Sequence, residues 1–367
     1  MGWAALSELV PYYPLYALLF LDTGLSEAQV SALFALWSVT GLLAEVPAGV
    51  LADRWSRRGV VVLAGVLQAA GFVLWTAAPG LWGFAVGFAV WGVAGAMVSG
   101  ASEALVYDGL AAVGATPSYA RVAGWVTAAE LLVQVPTAVL ASVLVAAGGY
   151  EAVGWASVAI CLAAAALATR FPEARHVADE EDADGLAGGL RETLRRPGLR
   201  LVVLAVALLG GLDAVEEYFP LLAAGGGVPT VAVPYAVLAA SLAGALGGAL
   251  AGRAAELPDR ALPVLLATAG LLLGAAALWV HPVTLLGVAV GYGVYIAVLV
   301  VGEARLQDRV PGRHRATVTS VAGLGVELAS LPVFAAWALG GIGGVALVVL
   351  AVVPVVAAGV RRRAPVS

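Results

Sequence analysis

The sequence predicts an all-α membrane protein with twelve transmembrane helices in two pseudo-symmetric six-helix bundles and with both termini cytoplasmic. Three observations carry this. The 367 residues are 62% hydrophobic and 12% charged, about half the charge of a soluble domain. The apolar residues fall in long unbroken runs rather than alternating. All basic residues collect in alternate connections between those runs. A chain of this length with so few charges cannot cover a globular surface with water-binding groups, so a bilayer must be its solvent.

A helix crosses the hydrocarbon with about 20 apolar residues. Twelve segments meet that length, near 3–21, 28–52, 60–78, 82–106, 121–147, 152–170, 200–223, 230–252, 262–280, 283–302, 316–338 and 341–360. They are too long and too continuously apolar for barrel strands. Their many Gly and Ala residues let helix backbones approach closely where lipid offers no hydrophobic push between helices. The first run begins almost at Met1, with no basic region and cleavage site before it, so the expectation is that it stays as a helix.

Orientation follows from arginine. The sequence has no lysine, so its 19 basic residues are all Arg. They follow the second, fourth, sixth, eighth, tenth and twelfth segments: Arg54, Arg57 and Arg58; Arg121; Arg170 to Arg200; Arg253 and Arg260; Arg305 to Arg315; Arg361 to Arg363. The opposite connections contain none. Basic loops stay in the cytoplasm, which places both termini there. Removing one crossing would scatter the arginines over both faces.

Three parts follow: a six-helix bundle over 1–170, a cytoplasmic linker over 171–199, and a second bundle over 200–367. The linker holds the acidic run Glu180-Glu181-Asp182-Ala183-Asp184 and a basic amphipathic piece, Leu190 to Arg200, expected as a short surface helix. The halves echo each other at an offset near 200. Tyr13-Pro14-Leu15 matches Phe219-Pro220-Leu221, and Glu103-Ala104 with Asp108 matches Glu303-Ala304 with Asp308. Gly49 with Asp53 matches Gly252 with Glu256, and Pro136 matches Pro332. Parallel six-helix repeats around an axis normal to the membrane are a transporter architecture with the substrate site near the midplane.

The connection after the second segment reads Gly49-Val-Leu-Ala-Asp53-Arg54-Trp-Ser-Arg57-Arg58. It resembles the major facilitator superfamily signature G-x-L-a-D-R-x-G-R-R, with Ser56 in place of the second glycine. Glu45-Val-Pro-Ala-Gly49 and Ser99-Gly-Ala-Ser-Glu-Ala-Leu-Val-Tyr-Asp108 resemble a bacterial, drug-exporter-like branch. The resemblance covers the whole chain by topology. It implies a conformational latch: Gly49 for close helix approach, Asp53 facing the positive end of the eleventh segment near Thr317, and Arg57 or Arg58 pairing with Asp108, with Arg54 beside them. Position alone reads these arginines as topology anchors.

Ionisable residues deep in a crossing are costly and mark function. The proton-coupling candidates are Glu130 and Glu217, then Glu216, Glu327 and Asp213. No Arg or His lies mid-segment beside them, and a carboxylate in apolar surroundings without a cation tends to hold a proton. A structural hydrogen bond is the competing role. Glu45, Glu103 and Glu303 lie nearer the cytoplasmic ends and suit structural or latch roles. Asp22 and Glu151 belong to loops, and Glu8 lies close to the uncertain start of the first segment.

The same census shapes the solute. Carriers of phosphate esters or organic acids present Arg or Lys to their cargo, and none lies mid-segment here. A neutral or cationic, partly apolar solute fits better. Aromatic faces attract organic cations, which makes Tyr12, Tyr13, Tyr16, Trp37, Trp125, Tyr218, Phe219, Tyr292 and Tyr295 cavity candidates. Packing and the interfacial belt are their competing roles. Pro14 and Pro220 would supply bends.

The expected activity is secondary transport by alternating access, as proton-coupled export, with small-molecule solute, protons and the lipid bilayer as partners. The fifth segment has Pro136 but few of the glycines of family drug antiporters, so proton symport of a neutral solute such as a sugar or nucleoside stays open. A membrane-embedded enzyme or a non-transporting receptor is the reading of another class. The outer connections are too short to hold a reactive constellation, so no enzyme is expected. Cys161 is the only cysteine, no Cys/His spacing suits a metal, and no phosphate-binding loop is present. No cofactor, no metal and no nucleic acid are expected. The expected assembly is a monomer. High Ala, Gly, Val and Arg without Lys points to a GC-rich bacterial genome and an inner membrane.

Overall fold

The computed structural model describes residues 1–173, 195, 197–279, 281–310 and 315–361. The acidic run and most of the amphipathic piece of the expected linker lie outside these residues. The described residues are helical almost throughout, and nine stretches are long and apolar enough to cross a membrane. They divide into two compact units, each described here by itself.

The first unit holds α1 (Gly2–Glu8), α2 (Tyr16–Asp22), α3 (Glu27–Arg54), α4 (Arg57–Ala77), α5 (Leu81–Ala112) and α6 (Tyr119–Ala168). It also takes in 229–238, which the sequence assigns to the second bundle. Ser142 Oγ donates to the Val231 carbonyl at 2.6 Å, which ties this segment to α6. The second unit holds α7 (Pro197–Gly211), α8 (Phe219–Gly225), most of α9 (Val233–Glu256), α10 (Ala261–Leu278), α11 (Pro282–Arg309) and α12 (Arg315–Gly359).

Local chemistry sets the helix ends. Ser26 caps α3: its Oγ accepts from Gln29 N, and Gln29 Oε1 accepts from Ser26 N, a capping box. Ser56 caps α4 by accepting from Gly59 N at 2.8 Å. The residue that departs from the family signature is therefore the one that starts the next helix.

At 50 residues, α6 would extend roughly 75 Å at 1.5 Å per residue, far beyond the hydrocarbon. It does not run straight. Gly148 (φ −149°, ψ 20°) and Gly149 (φ 61°, ψ −160°) leave helical geometry. Gly340 (φ −153°, ψ 17°) and Gly341 (φ 54°, ψ −147°) do the same in α12. The second glycine of each pair occupies backbone space that essentially only glycine enters. The near-identity of the two breaks is the repeat expressed in backbone angles.

The first segment of each half is not one helix, as a run over 3–21 or 200–223 predicts. In the first unit α1 ends at Glu8 and helix resumes at Tyr16. In the second, α7 passes into a 3-10 stretch over Leu212–Tyr218 before α8. Proline explains both. Pro14 has no N–H for the Val10 carbonyl, which instead accepts from Tyr13 N at 3.1 Å. Pro220 has none for the Glu216 carbonyl, which accepts from Phe219 N.

Helix crossings repeat as well. A Cβ on Gly92 of α5 would sit 2.8 Å from the Trp37 carbonyl oxygen of α3 and 3.1 Å from Gly41 N. A Cβ on Gly293 of α11 would sit 2.6 Å from the Ala243 carbonyl oxygen of α9, and one on Gly247 would run into the Gly293 carbonyl. Trp37 and Ala243, like Gly41 and Gly247, are separated by the offset that separates Pro14 from Pro220. Small residues thus bring backbones together at the same place in both halves.

The cores differ. The first unit buries a continuous aromatic cluster, with Tyr12, Phe20, Phe34, Phe72, Trp75, Phe84 and Phe88 almost fully enclosed. Trp75 packs edge-on against Phe20 at 5.1 Å and meets Phe88 at 4.7 Å. The second unit buries a mostly aliphatic core in which Tyr218 stacks on Trp337 at 4.0 Å.

Overfilling the close crossings tests this packing. Gly92→Ala and Gly293→Ala should each cost about 1–3 kcal/mol and lower the melting temperature of detergent-purified protein. Gly252→Ala, where a Cβ meets nothing within 4 Å, should leave it unchanged. Equal melting of all three would contradict the close approach.

Candidate functional site

The signature residues separate into a structural pair and an exposed remainder. Arg57, on the first turn of α4, pairs with Asp108 near the end of α5, whose side chain is only 7% exposed. Arg57 also reaches Asp53 at 3.4 Å, but the Asp53 side chain is 70% exposed. Arg54 is exposed. Arg58 donates to the Phe171 carbonyl at 3.2 Å and lies 3.7 Å from Glu173, which also accepts from Ser56 Oγ. Arg58 thus covers the end of the chain segment that leaves α6. The close approach expected at Gly49 is absent: a Cβ there would meet nothing within 4 Å. Gly41 and Gly92 make that approach instead.

The second unit carries a matching pair that the sequence reading missed. Arg305 near the end of α11 meets Asp259, just before α10, at 3.0 Å. The pair joins the start of α10 to the end of α11 as Arg57–Asp108 joins the start of α4 to the end of α5, with the charges exchanged but not at the aligned positions, since the offset places Asp308 opposite Asp108. Arg305 also donates to the Val360 carbonyl, and Arg309 to the Gly359 carbonyl at 2.6 Å. These arginines cap the end of α12 as Arg58 caps the end of the sixth segment. The repeat offset does not locate this pair residue by residue, because its charged positions have shifted along their helices.

The acidic candidates fall into two groups. In the first unit, Glu130 of α6 lies close enough to Glu8 of α1 for their charges to interact. Thr137 Oγ1 donates to the Glu8 carbonyl at 3.3 Å and holds α1 against α6. Glu8, which the sequence left at an uncertain boundary, is therefore the acidic partner of Glu130. In the second unit, Asp213, Glu216 and Glu217 all sit on the 3-10 stretch. Tyr292 Oη lies 3.0 Å from Asp213 Oδ1 and 3.2 Å from Glu216 Oε2. Glu303 of α11 interacts electrostatically with Asp213. Glu217 is half-buried on the next position of the same segment, and Glu327 is an exposed residue of α12. Nearer the signature end, Ser99 Oγ donates to Glu45 Oε1 at 3.2 Å.

The aromatic candidates divide the same way. Tyr12 is fully buried, with its hydroxyl 2.9 Å from Thr76 Oγ1 and its backbone N donating to Ser157 Oγ. Tyr16 is buried in the aromatic cluster, edge-on to Phe34 and Phe88. Tyr218 is fully buried. These three hold their own units together. Tyr13, Trp91 and Trp37 form a ladder: Tyr13 stacks on Trp91 at 5.6 Å and Trp91 on Trp37 at 4.8 Å. Gln68, a mid-helix polar residue the sequence reading passed over, donates to Tyr13 Oη at 2.9 Å. Tyr13 and Trp37 keep part of their surface open. Phe219 packs edge-on against Tyr292 at 5.0 Å, and Tyr295 Oη donates to the Leu209 carbonyl at 2.7 Å. Trp125 is 57% exposed on α6. Among the described residues no group of His, Cys, Asp and Glu could hold a metal ion.

The two carboxylates that touch Arg57 should differ in weight. Asp108→Asn leaves a largely buried guanidinium short of its counter-charge and should cost about 1–3 kcal/mol, read as a lower melting temperature. Asp53→Asn should change stability by about 0.5 kcal/mol or less. A large loss from Asp53→Asn would make it a fold-stabilising residue of its own bundle.

Comparison with known proteins fits this geometry. The family model of the Major Facilitator Superfamily matches residues 2–333. No curated protein sequence matches the chain. Among solved structures, the chain is similar to a bacterial homologue of the human lysosomal transporter Spinster, with a TM-score of 0.69, 17% identity, and coverage of 94% of this chain and 78% of that one. The nucleoside transporter NupG gives a TM-score of 0.71, 14% identity, and coverage of 97% and 95%. A D-xylose–proton symporter gives 0.69, 14%, and 96% and 95%. With most of its length matched and its fold shared with these transporters, the chain is a multi-pass membrane protein that belongs to the Major Facilitator Superfamily.

Proposed function

We propose that this protein is a proton-coupled secondary transporter that moves a small neutral or cationic amphipathic solute by alternating access. The observation that carries the reading is the convergence of Asp213 and Glu216 on the Tyr292 hydroxyl in the second unit. Carboxylates that share apolar surroundings are where a proton can be taken up and released. The partly open Tyr13–Trp91–Trp37 ladder suits a flat or cationic solute.

Twelve crossings form the frame of this proposal. The glycine breaks at 148–149 and 340–341 favour two crossings in each of α6 and α12, and the arginine distribution favours cytoplasmic termini. The bundles are 1–170 and 200–367, and the protein works as a monomer in a bacterial inner membrane, as a transporter and not as an enzyme. The exposed Asp53 and Arg54, with Arg57 anchored on Asp108, supply the latch. The favoured direction is export. Uptake by proton symport is the second reading, favoured by the similarity to the nucleoside transporter and to the D-xylose–proton symporter.

Reconstituted liposomes containing a pH-sensitive dye test both. Under an imposed pH gradient, cationic amphipaths should move protons in wild type, and Glu130→Gln, Glu217→Gln or Asp213→Asn should reduce this at least tenfold. Coupling to D-xylose or a nucleoside instead would establish symport. Radiolabelled solute moving without protons would sink the proton-coupled reading.

A further inference from the structure

The phenol of Tyr292 has one hydrogen but faces two carboxyl oxygens, Asp213 Oδ1 at 3.0 Å and Glu216 Oε2 at 3.2 Å. An ionised carboxylate only accepts. With both acids ionised, one of these contacts would be lone pair against lone pair, beside two like charges, one on half-buried Asp213 and one on exposed Glu216. Two hydrogens satisfy three oxygens: a protonated carboxyl donates to Tyr292 Oη, and Tyr292 Oη–H donates to the other carboxylate.

Backbone geometry brings the acids together. In a 3-10 helix, residues i and i+3 eclipse, so Asp213 and Glu216 project along one line. In an α-helix they would stand ~60° apart. The stretch persists over seven residues, Leu212–Tyr218, where three or four are usual. Pro220 enforces its end by withholding the donor that the Glu216 carbonyl would need.

We propose that Asp213 and Glu216 share one exchangeable proton through the Tyr292 hydroxyl, in a site that the 3-10 register of Leu212–Tyr218 lines up. This deepens the proton-coupled reading and rests on it for its part in transport. Tyr292, placed by sequence among cavity aromatics, becomes the positioning residue of the pair. The other titratable groups around it are Tyr295 and Glu303 of α11, Glu217 of the same segment and Glu327 on α12. α8 and α10 contribute none, and the only ionisable residue of α7 within the described side chains is Arg200 near its start.

Infrared difference spectroscopy between acid and alkaline buffer, on protein in lipid nanodiscs without any solute, tests this. Wild type should show a protonated-carboxyl stretch that Asp213→Asn/Glu216→Gln removes. Both replacements keep side-chain shape, and a melting curve confirms the fold. Tyr292→Phe should keep the band but shift its frequency, because the hydroxyl partner is gone. A spectrum in which the double variant removes no carboxyl band overturns the proposal, as does a band that Tyr292→Phe leaves in place. Loss of the band on adding sodium chloride at fixed pH would assign the site to a metal cation and overturn the proton. If the band and its shift are present while no solute drives proton flux in liposomes, the shared proton stands and the transport reading fails.

Discussion

One missing N–H in the first crossing of each half shapes much of what surrounds it. Backbone groups in hydrocarbon must find partners within the protein, and a proline deletes one donor from the helical ladder. At Pro14 the Val10 carbonyl takes its bond from Tyr13, and at Pro220 the Glu216 carbonyl takes its bond from Phe219. In each case the i+3 bond replaces the i+4 bond, which tightens the local turn. The side chains thereby redirected are the ones that define each unit: Tyr12 and Tyr13 toward Thr76, Gln68 and Trp91, and Asp213 and Glu216 toward Tyr292.

From that shared device the halves diverge. The first invests its break in aromatic packing, and ring-on-ring contacts rigidify a core with few polar needs. The second keeps an aliphatic core and places acids at the equivalent turn: Glu216 stands where the first unit has Val10. The ion pairs at the signature end diverge too. Arg57–Asp108 and Asp259–Arg305 join the same two elements with the charges exchanged. Each pair ties the start of one helix to the end of another, a task that needs opposite charges without specifying which element carries which. A duplicated frame can therefore keep the contact while losing the residue identities.

This divergence sets what the sequence made legible. Long apolar runs and the offset near 200 expose the helices and the matching prolines, because composition and spacing encode those features directly, whereas the glycine breaks at 148–149 and 340–341 appear only in the backbone angles. The pairing of Arg57 with Asp108 was legible from the resemblance. The close approach assigned to Gly49 belongs to Gly41 and Gly92, because a small residue permits contact without specifying which neighbour arrives. Asp213 and Glu216 were legible as intramembrane acids, but their convergence on Tyr292 was not. An apolar run looks the same whether its turns hold 3.6 or 3.0 residues, and which side chain of another helix the two acids meet is set by packing that the run does not encode.

The long 3-10 stretch also bears on why an acid pair would sit at this point of the chain. Its hydrogen bonds are poorer than α-helical ones, so the alternative winding lies within reach of modest forces. Carboxylates in hydrocarbon strongly favour whichever backbone arrangement gives them hydrogen-bond partners. Placing both on one turn facing Tyr292 gives the two acids one hydroxyl as a common hydrogen-bond partner. The first half has Val10 and Ser7 at the matching positions and a break locked into an aromatic core, and its acids Glu8 and Glu130 lie on α1 and α6 instead.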